Sequence, residues 1–203
     1  MVEDLKKEFK KYFKLFEGLD VYFWIASGGI RDFFAKEKPK DIDFFFPDQE
    51  SRKKAAKKIL QAGANKTKDL PRGEQFILNG EYHDLVCWDG TGDPPCIAKN
   101  PTEMIEWFDY TVEMAALDSN GQFFHHPKFH EDIKNKKLTR NPNHRIQDLY
   151  PRMNNKRLMM YIKRGYSIDR EDLIKFLEDQ EATFKHRHDR KINNLPALKR
   201  EIV

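Results

Sequence analysis

Trp24-Ile25-Ala26-Ser27-Gly28-Gly29-Ile30-Arg31-Asp32, an eight-residue spacer, then Asp41-Ile42-Asp43-Phe44-Phe45-Phe46 is the stretch on which the fold turns. It reads as an apolar strand, a glycine turn, a short helix and a second apolar strand. Side chains alternate along a strand, so Asp41 and Asp43 share one face. Carboxylates held that close repel, and a divalent cation between them relieves the repulsion. A glycine turn alongside brings backbone N–H groups up to a phosphate. Together these are the parts of a metal-dependent nucleotidyl or phosphoryl transfer site.

Outward from this core, Leu5, Phe9, Tyr12, Phe13 and Phe16 recur at helical spacing among lysines and predict an amphipathic helix ending near Gly18. Val21 to Ala26 predicts a buried strand, Ile30 to Lys36 a short helix, and Asp41 to Phe46 a strand stopped by Pro47-Asp48. Ser51 to Ala62 predicts a helix capped by Gly63. Gln75 to Leu78 and Tyr82 to Trp88 flank Asn79-Gly80, a hairpin signal. A break rich in Pro and Gly follows (Gly90, Gly92, Pro94, Pro95, Pro101). It predicts a boundary between residues 1–98, an α/β unit on a small mixed sheet, and residues 99–203, mostly helical. Met104 to Leu117, Phe129 to Leu138, Arg145 to Arg164 and Arg170 to Glu181 are the expected helices there, with a short strand over Gln122 to His125.

The bulk composition narrows the class. With 203 residues, 39% hydrophobic and 16 Phe, the chain can bury a sizeable core. Mean hydropathy is −0.82, and no apolar run approaches the roughly 20 residues of a membrane span. Two cysteines and no apolar leader fit a cytoplasmic protein without a disulfide framework. A net charge of +4 is compatible with a polyanionic partner.

A two-metal site needs a third acid, from a neighbouring strand and on the same face. Asp84, within the apolar run Tyr82 to Trp88, fits best, because an acid there is costly unless paired or metal-bound, with Asp89 the weaker candidate. In this reading Asp41, Asp43 and Asp84 are the catalytic metal ligands, and Asp84 serves the ion that lowers the pKa of an attacking hydroxyl. Ser27 and the Gly28 N–H meet the β- and γ-phosphates. Arg31 or Lys40 neutralises the polyphosphate. For Arg31 and Asp32 an ion pair at the helix end is the competing reading. For Lys40 it is a solvated strand edge.

These residues resemble a known family. Ser27-Gly28-Gly29-Ile30-Arg31-Asp32, then Asp41-Ile42-Asp43, is similar to the G-G-x-V-R-D and D-x-D head motif of class II tRNA nucleotidyltransferases and bacterial poly(A) polymerases, within the DNA polymerase beta superfamily. Asp109-Tyr110-Thr111-Val112-Glu113-Met114-Ala115-Ala116-Leu117-Asp118 is similar to the second motif, R-R-D-F-T-I-N-A-L-A-Y-D, with Trp107-Phe108 in place of the arginines and Glu113 in place of the asparagine. Asp148-Leu149-Tyr150-Pro151-Arg152 resembles the base-reading E-D-x-x-R element at one residue longer spacing. Arg157 to Tyr166 resembles the neck helix. The resemblance spans about residues 20 to 166. It implies an α+β fold: a small mixed-sheet nucleotidyltransferase palm with flanking helices, then a helical neck-like region. It further implies two Mg²⁺ ions (or Mn²⁺) and transfer of NMP, AMP first, from an NTP to an acceptor hydroxyl. The acceptor expected is an RNA 3′ end, tRNA included. Asp109, Asp148 and Arg152 join the nucleotide-binding set on this basis. A chain ending soon after the neck suggests a minimal form. A protein or small-molecule acceptor, or a non-catalytic nucleotide- or RNA-binding relic, are the alternatives.

Overall fold

A computed structural model describes residues 2–90, 97–141, 151–178 and 180–181. The chain divides into two compact units, Met1–His144 and Arg145–Val203. The division falls well past the break at 98/99, because strands downstream of that break belong to the first unit's sheet.

The first unit opens with α1 (Val2–Phe13), which buries Leu5, Phe9 and Tyr12 and keeps its lysines outside. Then come β1 (Trp24–Ala26), α2 (Gly28–Phe34), β2 (Asp41–Phe46) and α3 (Gln49–Gln61). Asp48 caps α3 by accepting from the Ser51 N–H at 2.7 Å. Strands β3 (Asn65–Leu70), β4 (Gly73–Leu78) and β5 (Glu81–Cys87) follow. Asn79 and Gly80 both take positive φ, 52° and 79°, as the tight hairpin between β4 and β5 requires. Next are α4 (Pro101–Ile105), β6 (Ala115–Asp118), β7 (Phe123–His125) and α5 (Phe129–Lys134).

The seven strands form one mixed sheet in the order β3-β4-β5-β2-β1-β6-β7. β2 lies at its centre, antiparallel to β1 and parallel to β5. One face of β2 carries Ile42, Phe44 and Phe46, all nearly inaccessible. Phe44 meets Phe16 edge-on, with ring centroids 5.1 Å apart, and also contacts Tyr12, Phe23 and His83. The expected α+β fold with a mixed sheet is observed.

Several readings fail locally: Phe129 to Leu138, expected as one helix, is helical only to Lys134 and ends in a short strand, Lys137–Leu138. Met104 to Leu117 is not one helix. α4 ends at Ile105, Thr111–Glu113 is a single 3-10 turn, and Ala115–Asp118 is a strand against β1. The apolar run there fits either period, and pairing with β1 decides for strand. Strand β3 went unforeseen. Its sequence, Asn65-Lys66-Thr67-Lys68-Asp69-Leu70, is exposed over its first five residues and has no apolar alternation, as suits an edge strand.

In the second unit, α6 covers Pro151–Lys163, and residues 170–178 are helical. Leu158, Tyr161, Tyr166 and Phe176 are its buried apolar side chains. The basic stretch from Lys185 to Arg190 lies outside the described residues.

Candidate active site

The second face of β2 carries Asp41, Asp43 and Phe45. A row of register partners crosses the sheet at Asp43: Ala116 on β6, Ala26 on β1, Asp43 on β2, Asp84 on β5 and Gln75 on β4. Partners on adjacent strands point to the same face, so Asp43 and Asp84 stand side by side. Asp41 lies one pleat before Asp43, paired with Tyr82. All three acids are half-buried. Beyond Asp43 this face is closed by an apolar cluster of Trp24, Ala26, Phe45, Met104, Phe108 and Met114. The acids therefore stand at the border between a dry cluster and open surface.

Burial and three neighbours act on Asp84 in opposite directions. Burial pushes its carboxyl above the ordinary range and the charge of Asp41 adds to this, while Gln75's hydrogen bond and Lys68 oppose it. The Gln75 amide donates to Asp84 Oδ1 at 2.7 Å, and Gln75 Oε1 accepts from the Thr67 hydroxyl at 3.0 Å. A chain of hydrogen bonds from the edge strand thus fixes the orientation of the acid. His83, next in sequence, faces the other way and packs against Tyr12 and Phe44. Burial lowers its pKa.

The turn beside the acids is under tension. Ser27 has φ 65° and ψ −128°, a conformation that non-glycine residues seldom adopt and that clusters at functional sites. It is pinned from both sides: its N–H donates to the Ala115 carbonyl at 3.2 Å, and its carbonyl accepts from Arg31 N–H at 3.1 Å. A Cβ on Gly29 would lie 3.0 Å from Ile42 Cδ1, so glycine lets α2 settle on β2. Ser27 and Gly28 are half-buried and reach the surface.

The other predicted residues divide. Arg31 and Asp32 are 4% and 2% exposed. Arg31 donates to Asp32 Oδ1 through Nε at 2.8 Å and Nη2 at 2.6 Å, and Nη1 lies 3.8 Å from Glu113 Oε1. Arg31 and Asp32 thus form a buried ion pair. The guanidinium also packs beneath Gly28, whose Cβ would meet it at 3.6 Å. Lys40 is exposed at the start of β2. Asp109 is buried, and its carbonyl accepts from Asn141 N–H. Asp148 and the side chain of Arg152 lie outside the described residues. Trp107, at an arginine position of the resembled motif, donates its indole N–H to the Ile97 carbonyl at 2.8 Å.

Sequence reading missed Gln75, although the signal was present. A two-residue turn at Asn79-Gly80 pairs residues whose numbers sum alike, which sets Gln75 opposite Asp84.

The donors on the acid face are carboxylate oxygens, the ligand type suited to Mg²⁺ or Mn²⁺. Among the described residues no three His, Cys, Asp or Glu side chains form a ready-made metal cage. Mg²⁺ does not need one, since it binds through one or two carboxylates and completes its shell with water and substrate phosphates.

No family model and no curated protein matches the chain. Solved structures share its fold. The CCA-adding enzyme of Thermotoga maritima complexed with tRNA aligns at TM-score 0.62 and 14% identity, over 87% of this chain and 42% of that one. The CCA-adding enzyme of Bacillus stearothermophilus in complex with CTP aligns at 0.56 and 16%, over 80% and 41%. A tRNA nucleotidyltransferase complexed with a primer tRNA and an incoming ATP analogue aligns at 0.55 and 15%, over 88% and 49%. The chain thus spans less than half the length of each, and its α+β fold is the one found in CCA-adding nucleotidyltransferases.

Proposed function

We propose that this chain is a nucleotidyltransferase that moves NMP, AMP first, from an NTP to an acceptor hydroxyl and releases pyrophosphate. An RNA 3′ end, tRNA included, is the acceptor. The observation that carries the reading is the pairing of Asp43 with Asp84 on adjacent strands, with Asp41 near enough to perturb Asp84. That fold is shared with enzymes solved with tRNA, CTP or an ATP analogue.

Asp41, Asp43 and Asp84 would hold two divalent cations, Mg²⁺ or Mn²⁺, which supply charge neutralisation and a lowered pKa for the attacking hydroxyl. Gln75 holds the Asp84 carboxylate in orientation. Ser27 and the Gly28 N–H receive the outer phosphates, and Lys40 offsets their charge. The buried Arg31–Asp32 pair keeps the turn in its strained form rather than touching substrate. The cytoplasm is the compartment in which such a chain meets RNA and NTPs.

One observation favours a second reading. Trp107 and Phe108 pack against the apolar cluster instead of presenting cations to a nucleotide. A relic that binds nucleotide or RNA without turnover would tolerate this. Incubation with each α-labelled NTP, Mg²⁺, cellular RNA and cellular protein separates the readings. Label on RNA, lost in Asp41→Ala and Asp43→Ala, supports transfer. Label on protein alone moves the acceptor, and NTP binding without label on any fraction supports the relic.

A further inference from the structure

An open cleft of about 690 Å³ lies at the end of the sheet where β2 and β5 begin, bordered by Asp41 and Tyr82. Its lining includes Phe9, Tyr12 and Ile42 from the ring-packed side and the segment from Lys36 to Lys40, with lysines at every second position and all three exposed. Of the acids lining the cleft, Glu8 and Glu81 share Lys11 at 3.7 and 3.6 Å, Glu37 lies 3.8 Å from Lys136, and Asp41 belongs to the acid row. Lys36, Lys38 and Lys40 outnumber Glu37, the one acid of their segment, in a row at most about 14 Å long that starts next to Asp41. Tyr82, 40% exposed and the direct register partner of Asp41, also lines it.

We propose that this cleft receives the single-stranded 3′ segment of an RNA acceptor, with Lys36 and Lys38 against successive phosphates and Tyr82 stacked under a base. The inference rests on the RNA-acceptor reading above. A row of cations follows a chain of phosphates better than it follows one compact triphosphate. An exposed ring among cations is how single strands are held without sequence preference. Tyr82 beside Asp41 places the stacked base next to the acid row, where a terminal hydroxyl has to arrive.

The test uses the full chain with Mg²⁺ and a short fluorescein-labelled single-stranded RNA, titrated by anisotropy between roughly 50 and 200 mM salt. Each phosphate contact to a single strand contributes about 0.7 to the slope of log affinity against log salt, so Lys36→Ala/Lys38→Ala should flatten it by about 1.4. Tyr82→Ala should weaken binding about tenfold with the slope unchanged, and Tyr82→Phe should restore it. Unchanged RNA affinity and slope in both variants overturns the cleft assignment, even where wild-type label transfer to RNA succeeds. Loss of NTP affinity with RNA affinity intact also overturns it, because the cleft would then belong to the nucleotide. RNA binding that responds as expected, with no label transferred by the wild type, supports the cleft and removes the transferase reading instead.

Discussion

Asp43 and Phe44 are neighbours in sequence and sit on opposite faces of one strand, in two regions built on different terms. The Phe44 face is a mesh of rings in which Phe16, Phe23, Phe46, Tyr12 and His83 all share contacts. Its stability is spread over many weak contacts and depends on volume. The Asp43 face concentrates a few directed interactions instead. Asp84 answers to Asp41, Gln75 and Lys68, and Ser27 holds a strained backbone set by two hydrogen bonds. The Phe44 face is packed along its length, while the other is packed beyond Asp43 and at its acid end spends part of that stability to keep like charges together.

Substitutions at adjacent positions give the widest separation. Asp43→Ala should reduce label transfer well beyond the roughly 100-fold lost when a group supporting a metal ligand is removed. Its circular dichroism spectrum should match wild type. Phe44→Ala should instead cost about 3–5 kcal/mol of stability, read by urea denaturation. Equal loss of stability in both variants would erase the contrast between the faces.

The buried pair beneath the turn comes next. Arg31→Ala leaves Asp32 and Glu113 without their shared cation, and removing one partner of a buried pair costs about 3–5 kcal/mol. Denaturant midpoints test this. A near-neutral result would mean the turn holds itself.

Gln75→Leu is milder. It keeps the bulk of the side chain and removes the amide that orients Asp84, so transfer should fall by roughly 10–100-fold. The apparent Mg²⁺ requirement should rise, while stability changes little. An unaltered Mg²⁺ requirement would restrict Gln75 to packing.

The smallest effect has the most telling sign. Because the folded protein raises the Asp84 pKa, the protonated carboxyl favours the fold below the unfolded value. That contribution is lost as pH rises through the raised value. Asp84→Asn should therefore raise the metal-free melting temperature at neutral pH while abolishing transfer. The stability difference should vanish near and below the ordinary carboxyl pKa of 3.8. A lower melting temperature at neutral pH would mean the ionised acid is stabilised after all.

How much of this was legible beforehand differs between the faces in the same way. Alternation put Asp41 and Asp43 on one side, and the Asn79-Gly80 turn fixed a register from which Gln75 opposite Asp84 follows by counting. Strand β3 has no apolar period to read, and its pairing with β4 is backed by polar side-chain contacts, Lys66 with Glu74 and Thr67 with Gln75, rather than by apolar ones. Strand β6 was lost inside an apolar run that suits either period, until β1 supplied a partner. The pairing of Arg31 with its neighbour Asp32 was open to the sequence, whereas the further contact to Glu113, distant in sequence, arrives only through the turn leading into β6.

The most direct measurement of the central claim is Mn²⁺ binding, followed by electron paramagnetic resonance in the presence of a non-hydrolysable NTP analogue. The wild-type chain should bind the ion saturably, and binding should be strongly weakened in Asp43→Ala and in Asp84→Asn, both still folded. Equal Mn²⁺ affinity in wild type and both variants would show that the acid row does not hold the ion.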